Sequence, residues 1–372
     1  MQASQPRILC VTPSWLGDSI VALPALRQLH DAGVRVDLLA RRGTARVFAD
    51  AIGSGTLHDS GADGRLRRYR AAWALRGQRF DAAIVMPPSW SAAAVAWATG
   101  ARERVGERGN GRRAWLTLAL PRAGRNTHLA IAYQRSARAA LRRLGVPDEA
   151  LRRANGIQPL AATHDDAPPG LHAYPSVSVR ADESAAADRL LAAHAVGPDT
   201  GVLIVAPGAH YGSAKRYPAE RFAAAARQLA ERLRGAVVVV GGAADAPQAH
   251  ELVSHLPTAI DLTGHTDLGT LIGLLARGRG VLSNDSGVMH LGAALGVPVL
   301  GIFGSTNPLW TRPLGRRAGW VAHSVPCAPC YRRTCPIDFP CMLGLEPQTI
   351  AEKLFELIQL DSDRIASTSA PV

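Results

Sequence analysis

The sequence predicts an α/β protein built on two doubly wound parallel sheets, and three observations predict it. Apolar, β-branched runs alternate with helix-compatible runs through the first half, and the same alternation restarts near residue 201. The chain has 372 residues and a mean hydropathy of +0.02, which is more than one core usually holds and suits two α/β domains. The apolar runs end in short loops of Gly, Ser, Asp and Pro, and open parallel sheets bind ligands at that end of their strands, here in a cleft between the domains.

The elements follow in order. Residues 7–12 read as a buried first strand, 13–18 as a loop, 19–32 as an apolar-faced helix and 34–40 as a second strand. Residues 80–86 are a further strand and 92–99 a small-residue helix. Residues 102–111 read as a basic loop. A long helix over 128–144 stops at Gly145-Val-Pro147, where glycine and proline end it. Thr, Asp, Pro and Gly crowd into 161–175, the best linker. This places an N-terminal domain at 1–175 and a second domain at 176–348. In the second, strands at 201–206 and 236–240 run into Pro207-Gly208 and Gly241-Gly242. Helices are expected at 218–234 and 268–276. A strand at 280–282, a polar turn, a helix at 288–295 and a strand at 297–303 follow. A last helix covers 349–360. The Ser/Ala/Pro-rich tail, 361–372, is expected to be disordered.

No run of 18 apolar residues exists, and the N-terminus lacks a basic stretch followed by an apolar one. The expectation is a cytoplasmic protein. Charge is unevenly spread. Residues 1–180 carry 26 Arg, no Lys and 13 acidic residues, whereas 181–372 carry 16 basic and 17 acidic ones. GC-rich coding would explain arginine in place of lysine, but not the asymmetry. An arginine-rich half suits a polyanion: phosphates, acidic sugars, an anionic membrane surface or nucleic acid.

Four constellations carry chemistry. Ser14-Trp15-Leu16-Gly17-Asp18 follows the first strand and puts Asp18 at a helix start, either as an ordinary cap or facing a ligand. It lacks the G-x-G-x-x-G spacing of a dinucleotide fingerprint. The loop 206–218 holds Lys215, one of two lysines in the chain, whose compact ammonium suits a phosphate. Walker A spacing is absent. Ser283-Asn-Asp285-Ser286-Gly287-Val-Met-His290 joins strand to helix. Asp285 and Ser286 are placed to cap that helix, and its first-turn N–H groups would face an anion. Cys327, Cys330, Cys335 and Cys341 fall within 15 residues. That spacing suits a thiolate zinc site, reduced thiols or a local disulfide. Cys10 reads as core.

Pro13-Ser-Trp-Leu-Gly-Asp18, the Pro207–Pro218 loop and Asn284-Asp-Ser-Gly-Val-Met-His290, in this order, resemble the bacterial lipopolysaccharide heptosyltransferases of glycosyltransferase family 9. The cysteine loop is most similar to that of the type II enzymes. The resemblance implies a two-domain GT-B fold and inverting transfer of L-glycero-D-manno-heptose from ADP-heptose. The implied acceptor is the first heptose on Kdo2-lipid A, at the inner face of the cytoplasmic membrane. It implies Asp18 as general base. On the donor side it implies Tyr211, Lys215, Asp285, Ser286, Gly287 and His290, with Asp245 and Thr266 towards the nucleotide. On the acceptor side it implies Ser14, Trp15, Gly17, Arg65, Arg67 and Arg68, with the anionic inner leaflet as a further partner. It implies no metal for the chemistry. A type I or III heptosyltransferase, or another GT-B nucleotide-sugar transferase, is the nearest alternative. A nucleic-acid-binding protein would explain the charge but not the Lys215 and Asp285 loops, and Phe, Trp and Tyr make up only 5% of residues, too few for base stacking. An NAD-dependent oxidoreductase would need the missing glycine fingerprint.

Overall fold

A computed structural model describes residues 5–60, 65–147 and 167–360. The expected tail and the first part of the linker, 161–166, lie outside them. The chain divides into two compact units, residues 1–177 and 178–372.

In the first unit the elements run β1 (Arg7–Val11), α1 (Leu16–Asp31), β2 (Arg35–Ala40), β3 (Leu57–Asp59), α2 (Arg65–Ala74), β4 (Ala82–Val85), α3 (Trp90–Ala98), β5 (Glu103–Glu107), β6 (Leu118–Leu120) and α4 (Leu129–Arg143). The six strands form a parallel sheet ordered β3-β2-β1-β4-β5-β6. The chain winds outward from β1 to β3, then returns to lay β4 beside β1, pairing Ile8 with Ala82 and Val11 with Val85. The order therefore reverses between β1 and β4, which opens a crevice at their carboxyl ends. β1 and β4 are apolar and buried almost throughout because helices cover both faces.

The second unit repeats the plan. It runs α5 (Ala181–Ala192), β7 (Gly201–Ala206), α6 (Ala219–Leu233), β8 (Gly235–Val239), α7 (Ala246–His255), β9 (Ile260–Asp261), α8 (Leu268–Arg277), β10 (Gly280–Asn284), α9 (Gly287–Ala294) and β11 (Val299–Phe303). Short α10 (Pro308–Thr311), β12 (Ala318–Ala322), short α11 (Pro340–Leu343) and α12 (Pro347–Gln359) complete it. Its parallel sheet is ordered β12-β11-β10-β7-β8-β9, so its reversal lies between β7 and β10. α12 closes one face of this sheet: Ile358 packs at Gly280 and Leu357 at Gly319.

The expected doubly wound α/β class is what the chain adopts, with corrections in detail. The segment read as a basic loop contains β5. Residues 65–74, singled out only for their arginines, form α2. The polar turn after Leu282 begins later, because Ser283 and Asn284 still belong to β10. Among the described residues no helix is long and apolar enough to cross a membrane.

Candidate active site

The second unit gathers its polar residues where its strand order reverses. β7 delivers Pro207 and Gly208, β10 delivers Asp285, and β11 delivers Ser305 and Thr306. Lys215 Nζ meets Asp285 Oδ2 at 2.5 Å, and Thr306 Oγ1 donates to the same oxygen at 2.7 Å. The Lys215 side chain is mostly buried and that of Asp285 almost wholly so. The ammonium also stands 5.2 Å from the centre of the Tyr211 ring. His290, one turn into α9, is buried beside this pair. Burial pushes its imidazole down to about 4, outweighing the opposing pull of Asp285, while Lys215 adds to the fall. At neutral pH His290 is therefore an uncharged hydrogen-bonding group.

Asp285 and Ser286 were expected to cap α9. The N-cap is Ser286, but no side chain caps the helix. The Ser286 hydroxyl lies 2.9 Å from that of Ser283, and Asp285 is committed to Lys215 and Thr306. The first turn of α9, from Gly287, is therefore not capped by the Ser286 side chain, and the positive end of its dipole lies beside the Lys215–Asp285 pair. Asp245 sits after β8, accepting from Gly242 N–H at 3.1 Å. It lies so close to Gly208 that an added Cβ there would come within 2.2 Å of its carboxyl carbon. Thr266 lies in the half-buried loop after β9.

Asn284 and Thr306 were not singled out from the sequence. Asn284 is fully buried. Its Nδ2 donates to Pro207 O at 2.6 Å and its Oδ1 accepts from Tyr217 N–H at 3.1 Å, tying β10 to both ends of the Lys215 loop. Asn284 opens the Asn284–His290 motif, but its bonds to the Lys215 loop appear only in the fold.

The four loop cysteines do not form the zinc site their spacing allowed. Among the described residues no group of three or more His, Cys, Asp or Glu is placed to hold a metal ion. Cys327 and Cys330 are exposed, Cys335 Sγ accepts from Phe339 N–H, and Cys341 is buried in α11 beneath Gly304. All are free thiols, and burial, then Cys327, pushes that of Cys341 up. The loop instead braces its neighbours. Arg333 O accepts from Ala214 N–H at 2.9 Å, and Tyr331 O accepts from the Tyr211 hydroxyl at 2.8 Å. Tyr331 N–H donates to Ser305 O at 2.7 Å. At Gly212 an added Cβ would stand 2.3 Å from Arg333 O, so only glycine permits this approach.

The first unit presents its own group at the carboxyl end of β1. α1 begins at Leu16, so Gly17 is helical rather than a turn residue and Asp18 lies in the first turn. Trp15 is the N-cap, its ring more than half exposed. The Asp18 carboxylate is near enough to the buried Tyr133 of α4 to help raise that phenol's pKa, after burial itself. Arg68 of α2 reaches in from the side, its guanidinium donating to Ser14 Oγ at 3.3 Å. Burial and the neighbouring Arg41 both push its pKa down, and its Nε is buried without a hydrogen-bond partner among the described residues. Arg67, by contrast, is exposed on α2, which Arg65 opens.

The family model for glycosyltransferase family 9 (heptosyltransferase) matches residues 68–339. The chain is 30% identical over 328 residues to lipooligosaccharide heptosyltransferase 2 of Haemophilus ducreyi, covering 84% of this chain and 87% of that one. Two solved structures share the fold. A family 9 glycosyltransferase from Veillonella parvula superposes with a TM-score of 0.76 at 22% identity, covering 96% of this chain and 98% of its own. The ADP-heptose lipopolysaccharide heptosyltransferase II of E. coli gives 0.72 at 23%, covering 96% and 99%. The two sheets are thus those of a GT-B glycosyltransferase, and the chain belongs to glycosyltransferase family 9, the heptosyltransferases.

Proposed function

We propose that the protein transfers L-glycero-D-manno-heptose from ADP-heptose to the first heptose of heptosyl-Kdo2-lipid A, with inversion, in the building of the lipopolysaccharide core. The observation that carries this is the Lys215–Asp285–Thr306 cluster with neutral His290 at the strand reversal of the second unit. The names of the relatives and the type II likeness of the cysteine loop support the choice of sugar and acceptor.

The chemistry assigned to each residue follows from its surroundings. In a single displacement an acceptor oxygen attacks the anomeric carbon, the bond from that carbon to the ADP oxygen breaks, and configuration inverts. The acceptor hydroxyl must shed a proton, and Asp18 takes it as general base. The departing ADP gains negative charge. Lys215 meets it with the ammonium donors that its bond to Asp285 leaves unused, and the α9 amides from Gly287 add their dipole. Asp285 holds Lys215 in place, and Thr306 holds Asp285. Neutral His290 donates or accepts a hydrogen bond beside the sugar and phosphate without cancelling the ammonium. Tyr211 and Ser286 line the same side, while Asp245 and Thr266 take the nucleotide. Ser14, Trp15, Gly17, Arg65, Arg67 and Arg68 bind the acceptor, with the half-buried Arg68 drawn to its anionic groups. No cofactor takes part. The enzyme works at the inner face of the cytoplasmic membrane, where a lipid-linked acceptor is held.

A donor and acceptor screen tests this. Purified protein is offered ADP-heptose, UDP-sugars and GDP-sugars, with Kdo2-lipid A and its heptosylated form as acceptors. The expected result is transfer from ADP-heptose to the heptosylated lipid alone. Transfer to bare Kdo2-lipid A would make it a type I enzyme, and use of another nucleotide-sugar would overturn the donor assignment.

A further inference from the structure

Four of the seven tryptophans in the chain belong to one continuous patch on the first unit. Trp115 stands edge-on to Trp90 at 5.3 Å and to Trp97 at 5.2 Å. The Arg76 guanidinium lies 4.0 Å from the Trp73 ring and 5.7 Å from that of Trp97. Tyr69 stacks on Trp73 at 6.2 Å. These contacts link the rings in sequence from Tyr69 to Trp90, with Arg76 between Trp73 and Trp97.

The fold builds this line deliberately. Trp90 and Trp97 are seven residues apart on α3 and share a helix face, while Ala92, Ala93 and Ala96 fill the core face. Trp115 is fixed by its backbone: its carbonyl accepts from Arg104 Nε at 2.8 Å. The turn before it is pinned by buried Arg112, which donates to Glu107 O at 2.5 Å and to Pro87 O. Three of the rings stay open to solvent, with Trp73 48%, Trp90 50% and Trp97 36% exposed, while Tyr69 and Trp115 are half-buried against the core beneath them. Single exposed apolar residues are ordinary, but a fixed row of large rings marks a surface that meets something.

The charge around it says what. Between residues 65 and 147 the chain has 17 arginines and three acidic residues. Each acid is engaged: Asp81 accepts from Arg7 N–H, Glu103 from Thr117 and Arg143, and Glu107 from Ala123 N–H. Arg67, Arg70, Arg76 and Arg113 are exposed. Indole rings settle at the headgroup level of a bilayer, and arginines are drawn to anionic lipid phosphates.

We propose that Tyr69, Trp73, Arg76, Trp90, Trp97 and Trp115 form the surface by which the protein docks on an anionic lipid bilayer, an assignment that rests on its acting on a lipid-linked acceptor. The exposed rings of Trp73, Trp90 and Trp97 enter the headgroup layer, half-buried Tyr69 and Trp115 hold them in place, and the surrounding arginines engage the phosphates. The protein lies on the membrane and does not span it.

Vesicles of phosphatidylcholine, with or without phosphatidylglycerol, test this. Wild-type protein should sediment with the anionic vesicles only, and brominated acyl chains should quench its tryptophan emission. A Trp73→Ser, Trp90→Ser variant should partition about tenfold more weakly, with melting temperature and ADP affinity unchanged. Its heptose transfer should fall on vesicle-borne acceptor and persist on detergent-dispersed acceptor. Undiminished partitioning by that variant would overturn the surface assignment. So would absence of bromine quenching in the wild type, a readout that holds even if the variant fails to fold. Vesicle binding without heptose transfer in any form would sink the functional reading and spare the surface. An emission shift with soluble core oligosaccharide but not with vesicles would overturn it in favour of a sugar platform.

Discussion

The two units share one topology and load it oppositely. Each winds a six-stranded parallel sheet and reverses order beside its first strand, β1 in one and β7 in the other. At the second reversal a cation is matched by a carboxylate, the imidazole stays neutral, and an amide side chain laces the loops together. At the first, burial and the neighbouring Arg41 make the Arg68 charge more costly. Topology therefore places a ligand crevice, and the side chains on three or four loops decide its chemistry. In the proposed reaction the second reversal meets the departing group, whose negative charge grows. In the same proposal Arg68 at the first reversal meets an acceptor that arrives as an anion.

The largest test of this contrast lies on the first unit. Asp18→Asn keeps the shape of the residue and its place in the first turn of α1 but removes the base. Turnover should fall on the order of 10²-fold or more, while calorimetry gives unchanged ADP affinity. Near wild-type turnover would reduce Asp18 to a favourable charge at a helix start.

The second unit should fail differently. Lys215→Ala should slow transfer roughly 10²-fold, the scale of losing one preorganised donor to developing charge. Asp285→Ala should also slow it, by freeing the ammonium from its place. The two side chains touch, so their effects should not add. A double variant scarcely worse than Lys215→Ala would show that Asp285 acts through Lys215. Strictly additive losses would show that Asp285 meets the donor on its own.

How far the sequence could be read follows the same physics. β7 was legible to the residue because six buried apolar positions lie between turn residues. α2 was not, because RLRRYRAAWA carries too few apolar residues to show a helical period, and its arginines drew attention to charge instead. β5 hid in a basic stretch because only Val105 and Gly106 of ERVGE are buried. Lys215, Asp285 and His290 were readable as loop chemistry after strands. Asn284 and Thr306 were not, because their roles appear only when residues 77 and 21 positions away are brought alongside. The cysteines show the converse limit. Close spacing left zinc, reduced thiols and a local disulfide open, and the fold shows free thiols, two at the surface and one in the core.

A pH experiment sharpens the contrast on the donor side. His290 has its imidazole pushed down to about 4 in the fold, against an ordinary 6.5 when unfolded. The unfolded chain therefore binds the extra proton first as pH falls. This stabilising contribution is complete above pH 6.5 and drains away between 6.5 and 4. Urea unfolding at pH 7.5 and 5 should show about 2 kcal/mol lost from the second unit through this group. His290→Gln should be less stable at pH 7.5 and should lose that part of the slope. An unchanged slope in the variant would mean that the imidazole is not held neutral by its surroundings.

The smallest effect is expected at Arg68, and it separates the two units most directly. Arg68→Gln keeps a donor for Ser14 Oγ but removes a positive charge beside Arg41. The acceptor KM should rise several-fold and the donor KM should stay fixed, since Lys215 and Asp285 belong to the other unit. Part of the Arg68 charge is buried, so salt should weaken its effect less than that of Arg67→Gln, whose exposed charge is screened within about 8 Å at physiological ionic strength. Equal rises in both KM values would mean that the substitution disturbs the fold. A rise in neither would mean that the half-buried pair serves α2 and the β1 loop alone, and that the acceptor's anions are met elsewhere on the arginine-rich unit.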